Sequence, residues 1–243
     1  MGRRYEKRAY RSRIRARGLY SFGVRVKETD LWISASQDLE ETARDLVFQC
    51  RYEIERYIET HPIFQSALQP LPVDPYAPFV VKEMLEHSGN LGVGPMATVA
   101  GAIAQYVAEG LMGYSREIIV ENGGDIYLQM ERPVTVCIFA GDSPLSERLG
   151  LTIPVEQMPL GVCTSSGKIG HSLSLGVSHA VTIVAGSAVL ADGAATALAN
   201  TVQGKKDLEK TAAIGQDISG ILGGVAILDD TMASWGDVNL TVL

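Results

Sequence analysis

Between residues 161 and 201 the chain runs from Gly161-Val162-Cys163-Thr164-Ser165-Ser166-Gly167, through an apolar stretch at 180–185, into Ala191-Asp192-Gly193-Ala194-Ala195-Thr196. The apolar stretch limits the fold more than any other. A short strand with almost no polar residue is stable only where both of its faces are covered, so it belongs in the interior of a sheet. The residues around it carry the chemistry. Glycines and hydroxyls stand at one end, where a backbone can cup an anion. At the other end a carboxylate and a hydroxyl sit four residues apart at the start of an alanine-rich helix, and such oxygens suit phosphate and a hard metal ion.

The second group has helical spacing. Residues 187–191 read as turn-like to extended, and 192–203 as helix with Asp192 at the N-cap. One carboxylate oxygen then accepts a backbone N–H while the other stays free, and Thr196 lies one turn on over the same face. The positive end of a helix dipole attracts phosphate at such a point. Two neighbouring oxygens can share Mg²⁺ or Ca²⁺ with that phosphate. An ordinary Asp cap with a threonine packed inside a buried helix accounts for the same residues, as a polar turn does for 164–167.

Taken in order, four segments resemble the C-terminal half of the ApbE family of flavin transferases: Glu121-Asn122-Gly123-Gly124-Asp125-Ile126, then Thr164-Ser165-Ser166-Gly167, then His171 to Gly176, then Ala191-Asp192 to Thr196. Over nearly its whole length the chain resembles the UPF0280 branch of that superfamily, through Gly94-Pro95-Met96-Ala97, Glu121-Asn122-Gly123-Gly124-Asp125 and the Gly161 to Gly167 segment. The resemblance implies an α+β fold, a single ApbE-like (T-fold-like) domain with a mainly antiparallel sheet layered against helices. It also implies a site for FAD or a related adenine dinucleotide with Mg²⁺. Gly123, Gly124, Asp125, Thr164, Ser165, Ser166 and Gly167 would line the nucleotide pocket. Asp192 and Thr196 would hold the metal, with the backbone carbonyl of Ala97 completing its shell, and Asp192, Thr196 and His171 would form the catalytic set. FMN would pass from FAD to a Ser or Thr of an acceptor protein, or FAD would be hydrolysed.

The UPF0280 branch is also associated with anaerobic sulfide assimilation toward homocysteine. That implies a second class of function, a nucleotide- or partner-binding protein without transferase chemistry, in which Cys163 beside the anion-binding loop would be a reactive thiolate; a free cysteine is more commonly a buried hydrophobe, and that reading accounts for Cys163 as well. The family's Asp-Pro pair after its histidine has no counterpart in His171-Ser172-Leu173-Ser174-Leu175-Gly176, and its Ala-Lys-Gly signature is missing. The metal and pyrophosphate part of the site is thus better matched than the flavin-ring part.

The remaining sequence supports an antiparallel, helix-layered protein. Residues 20–27 alternate, with Phe22, Val24 and Val26 on one side, and 31–34 return beside them as a hairpin. Asp38 and Glu41 read as a capping box before a long helix with apolar positions Leu39, Ala43, Leu46, Val47, Cys50, Ile54 and Ile58, ending at His61-Pro62. Residues 62–78 hold five of the ten prolines and read as an extended strap. Pro78 and Gly89 frame a short helix at 79–87, and 95–110 form a nearly uncharged, buried helix. Strands follow at 116–120 and 126–130, joined by an Asn-Gly hairpin turn. Further strands are expected at 134–140, 151–155, 160–163, 180–185, 223–228 and 238–242, with a charged, exposed helix at 205–213.

Charge and cysteine usage exclude other classes. Residues 1–18 carry eight basic side chains against Glu6, or +7, in a chain of net charge −7, which leaves −14 on residues 19–243. This basic arm has no aromatic residues beyond Tyr5 and Tyr10, and the acidic body would repel a polyanion, so nucleic acid is not the expected partner. The arm suits its own body, a neighbouring subunit of a homo-oligomer, or a phosphate ligand. Cys50, Cys137 and Cys163 form neither a zinc pattern nor a disulfide framework, and no pair of histidines has metal spacing. No apolar span of 18 residues is uninterrupted and no signal-peptide pattern opens the sequence, so the expectation is a cytoplasmic protein with no membrane span.

Overall fold

The structure, a computed structural model, describes residues 18–167 and 175–243. It begins with the expected hairpin, β1 (Tyr20–Val26) and β2 (Thr29–Ala35), whose inward residues Val24, Val26, Leu31 and Ile33 are buried. Helix α1 (Glu40–Thr60) follows, burying Ala43, Val47, Cys50 and Ile54 at helical spacing. The Asp38 carboxylate accepts the Glu40 N–H at 3.1 Å, so the helix entry is an Asp turn of two residues and not the expected capping box. The proline-rich strap is extended except for one short helix, α2 (Ile63–Ser66), which drives Phe64 into the core.

Helix α3 (Phe79–Leu91) runs through Gly89 and stops at Gly92, which takes the left-handed conformation, φ +71°. A glycine inside a helix costs only about 1 kcal/mol, less than the packing of Met84, Leu85 and Ser88 that carries the helix past it. A 3-10 turn at Pro95–Thr98 leads into α4 (Val99–Leu111). Next comes a hairpin of β3 (Ile118–Asn122) and β4 (Asp125–Gln129). Asn122 pairs directly with Asp125, so the two turn residues are Gly123 and Gly124, with φ +72° and +112°; the turn lies one residue later than an Asn-Gly turn would. Glycine at both positions satisfies the positive φ that a two-residue hairpin turn demands.

The chain continues with β5 (Val134–Cys137), β6 (Leu149–Ile153), β7 (Leu160–Ser165) and β8 (Ala180–Ala185). Helix α5 (Ala188–Thr201) and helix α6 (Leu208–Gln216) precede β9 (Ile221–Leu228), β10 (Thr231–Gly236) and β11 (Asn239–Val242). Helix α6 is exposed on one side only; Leu208, Thr211, Ala212 and Gly215 are buried. Strand β10 was not expected from the sequence. Its alternation rests on just two inward side chains, Ala233 and Trp235, among exposed ones.

Eight strands form one antiparallel sheet in the order β1-β2-β3-β4-β7-β8-β9-β10, and β11-β6-β5 form a second. The last strand therefore completes the small sheet. Helices cover one face of the large sheet, over Val120, Tyr127, Cys163, Val181 and Ile183. The small sheet covers the other face, where Leu149, Leu151 and Ile153 meet Leu160, Val162, Val184 and Ile227. Strand β8 lies between β7 and β9 and all six of its residues are buried, as a two-face apolar strand requires. The fold is α+β, a mainly antiparallel sheet layered with helices. Among the described residues no single helix is long and apolar enough to cross a membrane.

Helix α5 sits unusually close to its neighbours. A Cβ on Gly161 of β7 would stand 2.4 Å from the Ala188 Cα, and one on Gly101 of α4 would stand 2.2 Å from the Ala188 carbonyl oxygen. The obstructing atoms are backbone, so no rotamer change can relieve them. Gly161→Ala is expected to destabilise the protein by at least about 2 kcal/mol, the cost of overpacking a rigid contact. Urea unfolding of the variant, with an unchanged denaturant slope, checks this.

Candidate functional site

Helix α5 begins one turn earlier than its alanine pattern suggests. Ser187 is extended, φ −117° and ψ 132°, and its hydroxyl accepts the Leu190 N–H at 3.3 Å. Ser187 is therefore the N-cap, a signal present in the sequence and outweighed there by Asp192. Asp192 is the fifth helical residue. It cannot cap its own helix, and its carboxylate reaches across to α4, where Oδ2 accepts the Gly101 N–H at 2.9 Å. Thr196 remains one turn beyond Asp192, and both are buried. The 3-10 turn that contains Ala97 packs on the same stretch of α5, since a Cβ on Gly193 would meet Thr98 Cγ2 at 2.8 Å.

The β3–β4 hairpin brings a second carboxylate. Asp125 opens β4, is buried, and its Oδ1 accepts the Thr164 N–H at 3.3 Å. Glu121, at the other side of the turn, accepts the Gly124 N–H at 2.9 Å and so fixes the Gly123-Gly124 loop. Asn122 donates from Nδ2 to the Ala100 carbonyl at 3.1 Å, tying the hairpin to the first turn of α4. Between the two aspartates lies Cys163, completely buried, with Sγ 3.5 Å from the Ala188 carbonyl oxygen and a hydrogen bond toward Asp125.

The strand-end segment behaves differently from its sequence reading as one loop. Thr164 and Ser165 are still in β7. Side chains alternate along a strand, and Val162 faces the small sheet while Cys163 faces the helices. The Thr164 hydroxyl consequently points away from Asp192 and pairs with the Thr182 hydroxyl at 2.9 Å; only its N–H serves Asp125. Ser165 is buried on the helix side. Ser166 Oγ and the Gly167 N–H both donate to the Ser178 carbonyl, at 3.4 and 3.0 Å. A Cβ on Gly167 would stand 2.1 Å from the Gly176 carbonyl oxygen, and one on Gly176 would stand 1.9 Å from that of Ala199. The two flanks thus press together against the end of α5. His171, and residues 1–17 of the basic arm, lie outside the described residues.

Burial sets the electrostatics. Desolvation raises the Asp192 pKa from 3.8 to about 7, although the Gly101 and Ala100 N–H groups favour its ionised form. Desolvation also holds Asp125 well above the usual carboxylate range, and the Asp192 charge adds to it. Among the described residues no lysine or arginine offsets either charge. The same burial, with Asp125 and Asp192 beside it, pushes the Cys163 thiol up. Of the two readings of Cys163, burial favours the packed one: a thiolate is disfavoured here, and the thiol acts as a packed donor. No three His, Cys, Asp or Glu side chains among the described residues converge as a metal cluster, so any cation here would draw on hydroxyl and carbonyl oxygens as well.

A family model described as "AbpE bacteria" matches residues 11–227. A UPF0280 protein of Methanocella arvoryzae is 38% identical over 212 residues, covering 87% of this chain and 86% of its own. A UPF0280 protein of Methanosphaerula palustris is 39% identical over 215 residues, covering 87% and 89%. The fold is similar to that of the flavin transferase ApbE from Vibrio cholerae, with TM-score 0.59 and 15% identity over 89% of this chain and 96% of that one. It is also similar to the Pseudomonas stutzeri flavinyl transferase ApbE in its apo form, with TM-score 0.60 and 13% identity over 89% and 94%.

The raised Asp192 pKa ties stability to pH with a definite sign. A carboxyl with a folded pKa above its unfolded value is protonated in the native chain while ionised in the unfolded one, so its stability contribution is lost as pH rises from about 4 to about 7. Asn at this position keeps an acceptor for Gly101 and has no charge to desolvate. In chelator, Asp192→Asn is expected to gain on the wild type between pH 4 and pH 8 by a few kcal/mol, each tenfold difference in proton affinity being worth about 1.4 kcal/mol. Urea unfolding at the two pH values measures the gap; a gap that does not widen contradicts the assignment.

Proposed function

Since the chain belongs to the "AbpE bacteria" family, whose model covers residues 11–227, we propose that it binds FAD or a related dinucleotide together with Mg²⁺ and transfers FMN to a Ser or Thr of an acceptor protein. The observation that carries this is the pair of buried carboxylates, Asp125 and Asp192, both raised in pKa by desolvation and close enough for the Asp192 charge to raise Asp125 further, with no cationic side chain offsetting them among the described residues. Two such groups call for a proton or a cation. The donors are hard oxygens, which fit Mg²⁺ and not a soft metal.

In this assignment Asp192 and Thr196 supply side-chain oxygens to the metal and Ala97 a backbone carbonyl. The Gly123-Gly124 turn, with no side chains, lets the nucleotide approach the backbone, and Asp125 accepts a hydrogen bond from it. Ser165, Ser166 and Gly167 stand at the end of β7, where a phosphate would draw the Ser166 hydroxyl and the Gly167 N–H away from the Ser178 carbonyl they now share. Thr164 contributes through its backbone, which holds Asp125. Bound Mg²⁺ would neutralise the diphosphate and stabilise charge as its P–O bond breaks. The acceptor hydroxyl oxygen bonds to the FMN phosphorus, AMP departs with the electron pair of the broken bond, and the hydroxyl proton passes to a base. His171 is assigned that role from its order in the sequence. Residues 19–243 act as one unit, because the 94–101 segment, the 121–125 turn and α5 all contribute.

Sulfur chemistry at Cys163 is not favoured, for the burial already described. Binding of a dinucleotide without transfer is the competing outcome, and one assay separates the two. Purified protein stripped with chelator is titrated with FAD with and without Mg²⁺, and the same samples are assayed for AMP. The expected result is Mg²⁺-dependent binding and AMP release, both abolished by Asp192→Asn. Binding without AMP would leave a nucleotide-binding protein, and undiminished AMP release by the variant would remove Asp192 from the mechanism.

A further inference from the structure

Two carboxylates that repel each other stay close only if the elements bearing them are fixed. Asp192 is carried by α5 and Asp125 by the β3–β4 hairpin, segments nearly seventy residues apart in sequence. One connection runs through β7, which pairs with β4 and packs against α5 at Gly161. The other runs through the first turn of α4. There Asp192 accepts the Gly101 N–H at 2.9 Å and also engages the Ala100 N–H, while the Ala100 carbonyl accepts from Asn122 Nδ2 at 3.1 Å. Asn122 is in turn the cross-strand partner of Asp125. The result is a closed circuit: Asp125 to Asn122 across the turn, Asn122 to Ala100, and Ala100 with Gly101 to Asp192.

Asn122 is the member of that circuit whose removal opens it without touching either carboxylate. Its side chain is directed at helix α4 because Ile118, Val120 and Asn122 share the helix-facing side of β3. The hairpin itself does not need it. Gly123 and Gly124 supply the turn geometry, and Glu121 fixes the loop from the opposite face of the strand.

We propose that Asn122 is a positioning residue, which by holding the Ala100 carbonyl fixes the α4 turn whose Gly101 N–H orients Asp192, and thereby sets the affinity of the site for a divalent cation; this rests on the metal-site assignment above. Asn122 acts through its amide bond to Ala100 and not as a ligand. Its effect is transmitted through the α4 turn, so it acts on cation binding before any dinucleotide is present.

The test uses the full chain stripped with chelator and titrated calorimetrically with Mn²⁺ alone, then with Mg²⁺ alone. Asn122→Leu preserves size and removes the donor, Asn122→Ala removes both, and Asn122→Gln keeps an amide. Gln157→Ala, which deletes an exposed 3.0 Å bond to Asp237, is the control. Losing one neutral hydrogen bond corresponds to roughly fivefold in affinity, so the Leu and Ala variants are expected to bind Mn²⁺ about fivefold more weakly. The Gln variant and the control should stay within about twofold of wild type on the same scale. A purely structural residue would lower the unfolding midpoint and leave the binding isotherm of the folded protein unmoved. Wild-type affinity in a folded Leu or Ala variant overturns the role of Asn122 and leaves the metal site standing. A wild type that binds neither cation overturns the metal site and the inference with it. Should the apolar variants not fold, an Asn122→Gln protein as weak as Asn122→Ser would equally remove the amide from the role.

Discussion

Helix α5 lies so close to β7 and α4 that backbone, not side chains, sets the contact distance. Gly161 and Gly101 are the two surfaces that admit Ala188, and the alanines of α5 keep the remaining contacts short. The closeness has an electrostatic consequence. A carboxylate on the first turns of such a helix is largely shielded from water, and among the described residues no cationic side chain neutralises it. Asp192 is consequently desolvated by the same packing that stabilises the sheet–helix interface. The hydrophobic gain of seating α5 over β7 and β8, at about 25 cal/mol per Å² of apolar surface, is what sustains a charge site that is unfavourable by itself.

The two helices that meet at this point also satisfy one another's ends. The first N–H groups of a helix have no partner within it. Asp192 of α5 supplies an acceptor to Gly101 of α4, and Gln105 of α4 supplies one to the Ala188 N–H at 2.8 Å and the Ser187 hydroxyl at 3.2 Å. The exchange removes a cost at both helix starts. The N–H groups at the start of α4 thereby favour the ionised form of Asp192.

The sheet and its order of elements were largely legible, because period-two and period-3.6 patterns report burial directly. The central position of β8 follows from an apolar stretch with nowhere else to go, and the hairpin at Gly123-Gly124 from turn chemistry, displaced by one residue. Strand β10 was not legible, since two inward residues make too weak a pattern. The partners of the site residues were less legible still. Asp192 reads as the cap of its own helix from local preference; its real partner, Gly101, is 91 residues away in sequence and is set by helix crossing. Nothing in the sequence marks Asn122 as anything but a turn residue. For Thr164, three consecutive hydroxyl residues and a glycine read as a loop, and only the strand register separates its hydroxyl from its N–H.

The register also decides what Cys163 is. It shares the helix-facing side of β7, beside two acidic groups and away from solvent, so every neighbour disfavours a thiolate: burial, Asp125 and Asp192 act in the same direction. A protonated thiol is a weak donor, and its hydrogen bond toward Asp125 stabilises the carboxylate at the cost of its own acidity. A soft, nucleophilic sulfur and a hard-oxygen cation site cannot be built from this arrangement at once, since ionising the thiol would add a third negative charge to an unneutralised pair. The packing that desolvates the two carboxylates keeps Cys163 a buried, neutral donor.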